Sequence, residues 1–245
     1  AQGAVTEGEA VNFCVPTGNF GNILSAFYAK EMGLPIGRLL CASNSNNVLT
    51  DFIATGKYDR NRPFYNTVSP SMDILISSNL ERLLYLLSGG DDKLVAGYMK
   101  ELSDTGCYQV SGEMLEKIQS VFVGGFSSEE ETEATIGKMM DEHKYLIDTH
   151  TAVAFHVLEQ YRKDTGDQTK TVVASTASPF KFCDAVLDAL HVTEKATGTA
   201  LLDQLADVSG MPAPQPLATL KDKKVRFTAW TEKEQMRTVV TDFLK

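Results

Sequence analysis

Along the chain, short apolar runs alternate with segments where apolar residues return every three or four positions. Residues 11–15 (Val-Asn-Phe-Cys-Val) read as a short buried strand, since β-favouring and apolar residues dominate them and Pro16 ends them. A small, polar stretch follows, Thr17-Gly-Asn-Phe-Gly-Asn22. Apolar residues then recur at Phe20, Ile23, Leu24 and Phe27, the face of a helix that Gly33-Leu-Pro35 closes. Further strands are predicted at 37–43, 108–110, 121–126 and 171–175. Helices are predicted at 47–54, 78–87, 93–102, 113–119, 127–142, 151–163 and from Pro179 to about His191. Local signals support them. Asn47 and Gly56 bracket one helix, Ser78-Asn-Leu-Glu81 is a capping-box pattern, and Pro179 suits a first helical turn. Residues 57–71 are a long, turn-rich connection broken by Pro63 and Pro70.

Strands alternating with helices predict an α/β fold: an open, mostly parallel, twisted sheet flanked by helices. From Val192 the character changes. A short helix at 201–205, a proline-rich linker at 211–216, a charge run at 221–224 and a last helix opened by Thr231-x-x-Glu234 form a helical extension. The expected division is therefore 1–192 for the body and 193–245 for an extension packing on it.

Charge and composition narrow the partners. The 245 residues carry a formal net charge of −9, which argues against nucleic acid or an anionic membrane surface as main partner. No apolar run approaches membrane-spanning length, and the start lacks a basic-then-apolar leader pattern. Cys14, Cys41, Cys107 and Cys183 are far apart, which fits reduced structural thiols in a cytoplasmic protein. No His, Cys or acid cluster has metal-ligand spacing; His143 reads as a helix-end charge and His156 as a helix-face residue.

The chemistry concentrates at the first turn. A strand, a glycine turn and a helix start bring several unpaired N–H groups around one point, and the helix dipole favours an anion there. The glycines are expected to take the backbone angles that other residues avoid. No Asp or Glu occupies that helix's first turn. The second strand–glycine element, Val121-Phe-Val-Gly-Gly-Phe126, is instead followed by Ser127-Ser-Glu-Glu-Glu131, whose acids close their own helix start. The first turn has neither dinucleotide nor P-loop spacing, so an ordinary βα turn and a phosphate site both remain open on pattern alone.

Four blocks, in order, resemble threonine synthase of the longer bacterial and fungal type. They are Pro16-Thr-Gly-Asn-Phe-Gly-Asn22 with Tyr28-Ala-Lys-Glu-Met-Gly-Leu-Pro35, then Ser69-Pro-Ser-Met-Asp-Ile-Leu-Ile-Ser-Ser-Asn-Leu-Glu-Arg-Leu-Leu84, Asp148-Thr-His-Thr-Ala-Val153, and Ser175-Thr-Ala-Ser-Pro-Phe-Lys-Phe182. The resemblance implies the fold of type II pyridoxal-phosphate enzymes, similar to the tryptophan synthase β chain. It implies a lyase of threonine biosynthesis that converts O-phosphohomoserine and water to threonine and phosphate. Gly18, Asn19, Phe20, Gly21 and Asn22 would hold the cofactor phosphate through backbone N–H groups.

Thr176 would hydrogen-bond the pyridine nitrogen, with capping of the following helix as the alternative and Ser175 as its neighbour. His150 and Thr151 would lie against the ring, where Asp148 or Thr149 also serves as a helix cap. Asn79 and Arg82, one turn apart, suit a substrate carboxylate or phosphate, or simply the surface. Lys181 reads as a substrate-phosphate contact or a solvated helix lysine. The family commonly has proline at the position of Thr149 and histidine at that of Ser178. The Schiff-base lysine of the family belongs to an N-terminal segment outside these blocks, so no catalytic residue is expected here. The chain starts at Ala1 and its first strand follows at once, which reads as the C-terminal portion of a longer enzyme, inactive without its N-terminal half. A related phospho-lyase and a non-catalytic binding domain are the alternative functions.

Overall fold

A computed structural model describes residues 3–245, so the first two residues of the expected 1–192 body lie outside the described residues. Four strands, β1 (Val11–Pro16), β2 (Ile36–Ser43), β5 (Phe122–Phe126) and β6 (Thr171–Val173), form a parallel sheet in the order β5-β2-β1-β6. Between β2 and β5 run α2 (Val48–Thr55), β3 (Lys57–Asp59), α3 (Leu80–Leu87), α4 (Asp92–Thr105), β4 (Cys107–Gln109) and α5 (Gly112–Val121). The first crossover is α1 (Gly21–Glu31), and α6 (Glu129–His143) with α7 (Thr149–Thr165) link β5 to β6. The open, mostly parallel sheet with flanking helices is the architecture expected from the alternation.

The pleat explains the layers. Val15, Leu39 and Cys41 face the cluster that includes Ile23, Phe27, Phe52 and Ile53 of α1 and α2. Cys14, Leu40 and Ala42 point to the other side, against Val153, Ala154 and Val157 of α7. Each such large apolar side chain, removed from water, contributes roughly 1.5–3 kcal/mol. The glycine pair in β5 serves packing: a Cβ at Gly124 would meet Thr50 Cα at 2.9 Å, and one at Gly125 would meet Val157 Cγ1 at 2.7 Å. Helices thus press on both faces of that strand.

Several local expectations change in the fold. β3 lies inside the predicted 57–71 connection and pairs antiparallel with β4; three residues are too few to show a period. Asn47 holds the N-cap position of α2, but its side chain accepts from Arg62 Nη1 (3.0 Å) instead of capping. The Ser78/Glu81 capping box does not form, because Ser78 is turned toward Asn19. A 3-10 turn at Lys233–Gln235 leads into α11 (Met236–Phe243), with no cap from Thr231.

After β6, a 3-10 turn at Pro179–Lys181 leads into α8 (Cys183–Ala189). In the extension, α9 (Ala200–Ser209) buries Leu202 and Leu205 beside Val186 and Leu187 of α8, and Leu217 of α10 (Gln215–Ala218) packs at the margin of that cluster. Beyond it Val225, Phe227, Trp230 and Phe243 are exposed. No helix among the described residues is long and apolar enough to cross a membrane.

Candidate functional site

β1 has β2 on one side and β6 on the other, and the chain reaches them by crossovers in opposite directions. The carboxyl end of β1 is therefore a topological switch point, where open α/β sheets leave a crevice. A cleft of about 290 Å³ opens there, lined by Pro16–Asn22, Ser71, Met72, Asn79, His150, Thr176, Ala177 and Lys181.

The floor is the turn from β1 to α1. The left-handed residue in it is Phe20 (φ 64°, ψ 4°), rather than either glycine. Such a conformation costs a bulky residue roughly 1–3 kcal/mol, offset here by complete burial of the ring. Gly18 answers a different need, since a Cβ there would come within 2.9 Å of Met72 Cα. The Thr17 amide goes to Ala42 O (2.7 Å), and α1's internal ladder begins only with Leu24 N–H to Phe20 O (3.1 Å). The amides of residues 18–23 between them have no protein acceptor among the described residues.

The loop's oxygens, by contrast, are drawn away. Ser77 Oγ donates to Gly18 O (3.0 Å), Asn79 Nδ2 to Asn19 O (2.7 Å), and Ser78 N–H and Oγ to Asn19 Oδ1 (2.7 and 2.8 Å). Ser77 N–H in turn donates to Tyr58 Oη (2.7 Å). Tyr58 stacks on Tyr108 at 5.3 Å, and burial pushes its phenol up to about 12, so it stays neutral. With its acceptors paired and its amides unpaired, the floor offers hydrogen-bond donors and has no cationic side chain of its own.

The wall comes from α7 and the segment after β6. Asp148 caps α7, accepting from the amides of His150 (2.9 Å) and Thr151 (3.3 Å) and from the Thr151 hydroxyl. Burial raises its pKa, but the hydrogen bonds from His150 and Thr151 outweigh that and hold it below the ordinary carboxylate value. His150, buried, places Nδ1 3.1 Å from Asp148 Oδ1, while Ser71 N–H donates to Nε2 (3.3 Å). An accepting Nε2 assigns the proton to Nδ1.

Placed against the sequence expectations, residues 18–22, Asn79, His150, Thr176 and Lys181 come together around one cleft. Arg82 and Thr151 stand one step back. Arg82 Nη1 donates to Asn79 Oδ1 (2.8 Å), and Thr151 Oγ1 lies 3.4 Å from Ser175 Oγ. Lys181 is exposed, has no carboxylate partner among the described residues, and sits 5.8 Å from the Phe182 ring centroid. Sequence reasoning missed Ser71 and Met72 as lining residues although both lie in a quoted block, and it had no signal for Tyr58, which supports the floor from a distant strand. No group of three or more metal-binding side chains occurs among the described residues.

Comparison with known proteins bears on the family and the fold. A family model described as "Threonine synthase, C-terminal" matches residues 151–240. Human "Threonine synthase-like 1" is 42% identical over 214 residues, covering 86% of this chain and 28% of that protein. Threonine synthase of Saccharomyces cerevisiae is 37% identical over 253 residues, covering 97% and 48%. Among solved structures, pyridoxal-phosphate-bound threonine synthase from Brucella melitensis superposes with TM-score 0.80 at 36% identity, covering 96% of this chain and 46% of that one. Yeast threonine synthase gives 0.81 at 34% identity, covering 96% and 47%. The chain thus spans about half the length of these threonine synthases, and less of the longer relative. By these matches and by its fold, the chain belongs to the threonine synthase family.

Proposed function

We propose that the cleft is the phosphate and ring-binding side of a pyridoxal-phosphate site in an enzyme that converts O-phosphohomoserine and water to threonine and phosphate. The observation that carries this reading is the run of unpaired amides at residues 18–23, a donor set that fits a dianionic phosphate. A related structure that holds pyridoxal phosphate adds support. Gly18, Asn19, Phe20, Gly21 and Asn22 bind the phosphate; Thr176, across the cleft, offers a neutral hydroxyl to the ring nitrogen and leaves that nitrogen unprotonated. When bound, the cofactor supplies an electron sink for the substrate's carbons. His150 and Thr151 stand on the ring side of the wall. Lys181 and Asn79 present a cation and an amide to the substrate's phosphate or carboxylate, and Arg82 backs Asn79 through its 2.8 Å hydrogen bond.

Covalent attachment needs a buried, activated lysine. The only lysine that lines the cleft among the described residues is the exposed Lys181. The chain alone therefore binds phosphate but neither captures pyridoxal phosphate covalently nor makes threonine. Mixing it with pyridoxal phosphate and borohydride, then measuring intact mass, is expected to give no stoichiometric adduct; full labelling at Lys181 would overturn this.

A second reading is a relative that eliminates phosphate from other phosphorylated hydroxyamino acids. The 42% identity to a protein named only threonine synthase-like favours keeping it. Assay of the full-length protein with O-phosphohomoserine separates the two, threonine against a keto acid.

A further inference from the structure

The floor of the cleft depends on a residue in a conformation that its side chain disfavours. A left-handed residue immediately before a helix turns its own amide and the next ones toward a common point, the geometry of a backbone anion nest. Glycine takes that conformation without strain; phenylalanine does not. Phe20 nevertheless takes it, and its ring is almost wholly buried. Something below the loop must hold the ring. The Phe20 ring packs 5.5 Å from that of Phe122, the first residue of β5, and Phe122 also packs 5.6 Å from Phe27 of α1. Phe122 is buried and does not line the cleft.

We infer that Phe122 is a positioning residue for the phosphate site: it fixes the Phe20 ring and so keeps residue 20 left-handed, with the amides of residues 18–23 converging on the cleft. The inference rests on the phosphate reading above. If the ring contact were lost, Phe20 would relax toward negative φ, its peptide would rotate, and the donors would diverge while the sheet and helices remained. A glycine at position 20 would need no such anchor, since it holds positive φ unaided. The two positions should therefore be coupled, and this separates positioning from ordinary core packing.

The test is titration of the whole chain with inorganic phosphate, followed through the amide NMR signals of Gly18 and Gly21, for wild type, F122L, F20G and the double variant. F122M, nearer in volume, replaces F122L should the latter not fold. F122L should weaken phosphate binding about tenfold and shift the Gly21 amide in the unbound chain. In the F20G background the same change should alter affinity less than twofold. An F122L chain that melts earlier yet binds phosphate like wild type would overturn the inference, as would an undiminished tenfold loss in the F20G background. Wild type that fails to bind phosphate would overturn the reading of the cleft and this inference with it, whereas the other two results leave that reading standing.

Discussion

Two helix starts at the same edge of the sheet make opposite use of the same architecture. α1 and α6 each follow a parallel strand and a short turn. At α6, Ser128 Oγ accepts from Glu131 N–H (3.2 Å) while the Glu131 carboxylate accepts from Ser128 N–H (2.8 Å), and Glu129 and Glu130 add charge to the first turn. At α1 the first turn has no acid, the N-cap residue is Phe20, and no side chain caps it. The chain supplies its own anion at one start and none at the other. α7, whose start faces the same cleft, is closed like α6, by Asp148. A helix dipole alone is therefore no site; what decides is whether the chain has already met the donors.

The sharpest way to break the contrast is to fill the open start from below. A Cβ at Gly18 would collide with backbone, Met72 Cα at 2.9 Å, which no rotamer can relieve. Gly18→Val should abolish phosphate binding by titration and cost about 1–3 kcal/mol in chemical denaturation. Binding at wild-type strength would show that the 18–23 amides are not the site.

Asp148 tests the closed start beside the cleft. Asp148→Asn should cost about 1.5–3 kcal/mol, because hydrogen bonds to a buried carboxylate weaken. The native carboxyl is held below the ordinary aspartate value of about 3.9. Its stabilisation is thus present above that value and is lost as pH falls through the lowered native pKa. Acid unfolding curves should show the D148N chain with a shallower loss of stability below about pH 4 and an unchanged slope from about pH 5 to 8.

Placing an acid in the open start makes α1 resemble α6. Asn22→Asp should weaken phosphate binding about tenfold, ~1.4 kcal/mol. It should also stabilise the fold by about 0.3–1 kcal/mol through the dipole. Opposite signs in the two measurements are the mark of a start kept open for a ligand. The smallest effect is expected at α6: Ser128→Ala should cost ~1 kcal/mol in thermal or urea unfolding and leave phosphate binding unchanged. A loss of affinity there would show that the two starts are not independent.

Much of this was legible along the chain. Local alternation and punctuation reveal the strands and helices, because burial period and the backbone limits of glycine and proline act over a few residues. The absence of acids after Gly21 and their presence after Ser128 can be read directly, and so can the order of the four blocks. Only the folded chain decided the rest. That Phe20 and not a glycine is left-handed follows from a pocket for its ring, shared with Phe122 about a hundred residues away. Why Gly18 must be small is written in Met72, and why Ser78 fails to cap its helix is written in Asn19. The role of Tyr58, in a strand too short to show a period, emerges only from its bond to Ser77. Sequence fixes what each segment can satisfy within itself, whereas donors, acceptors and ring faces left unmet locally are assigned by whichever distant segment packs against them.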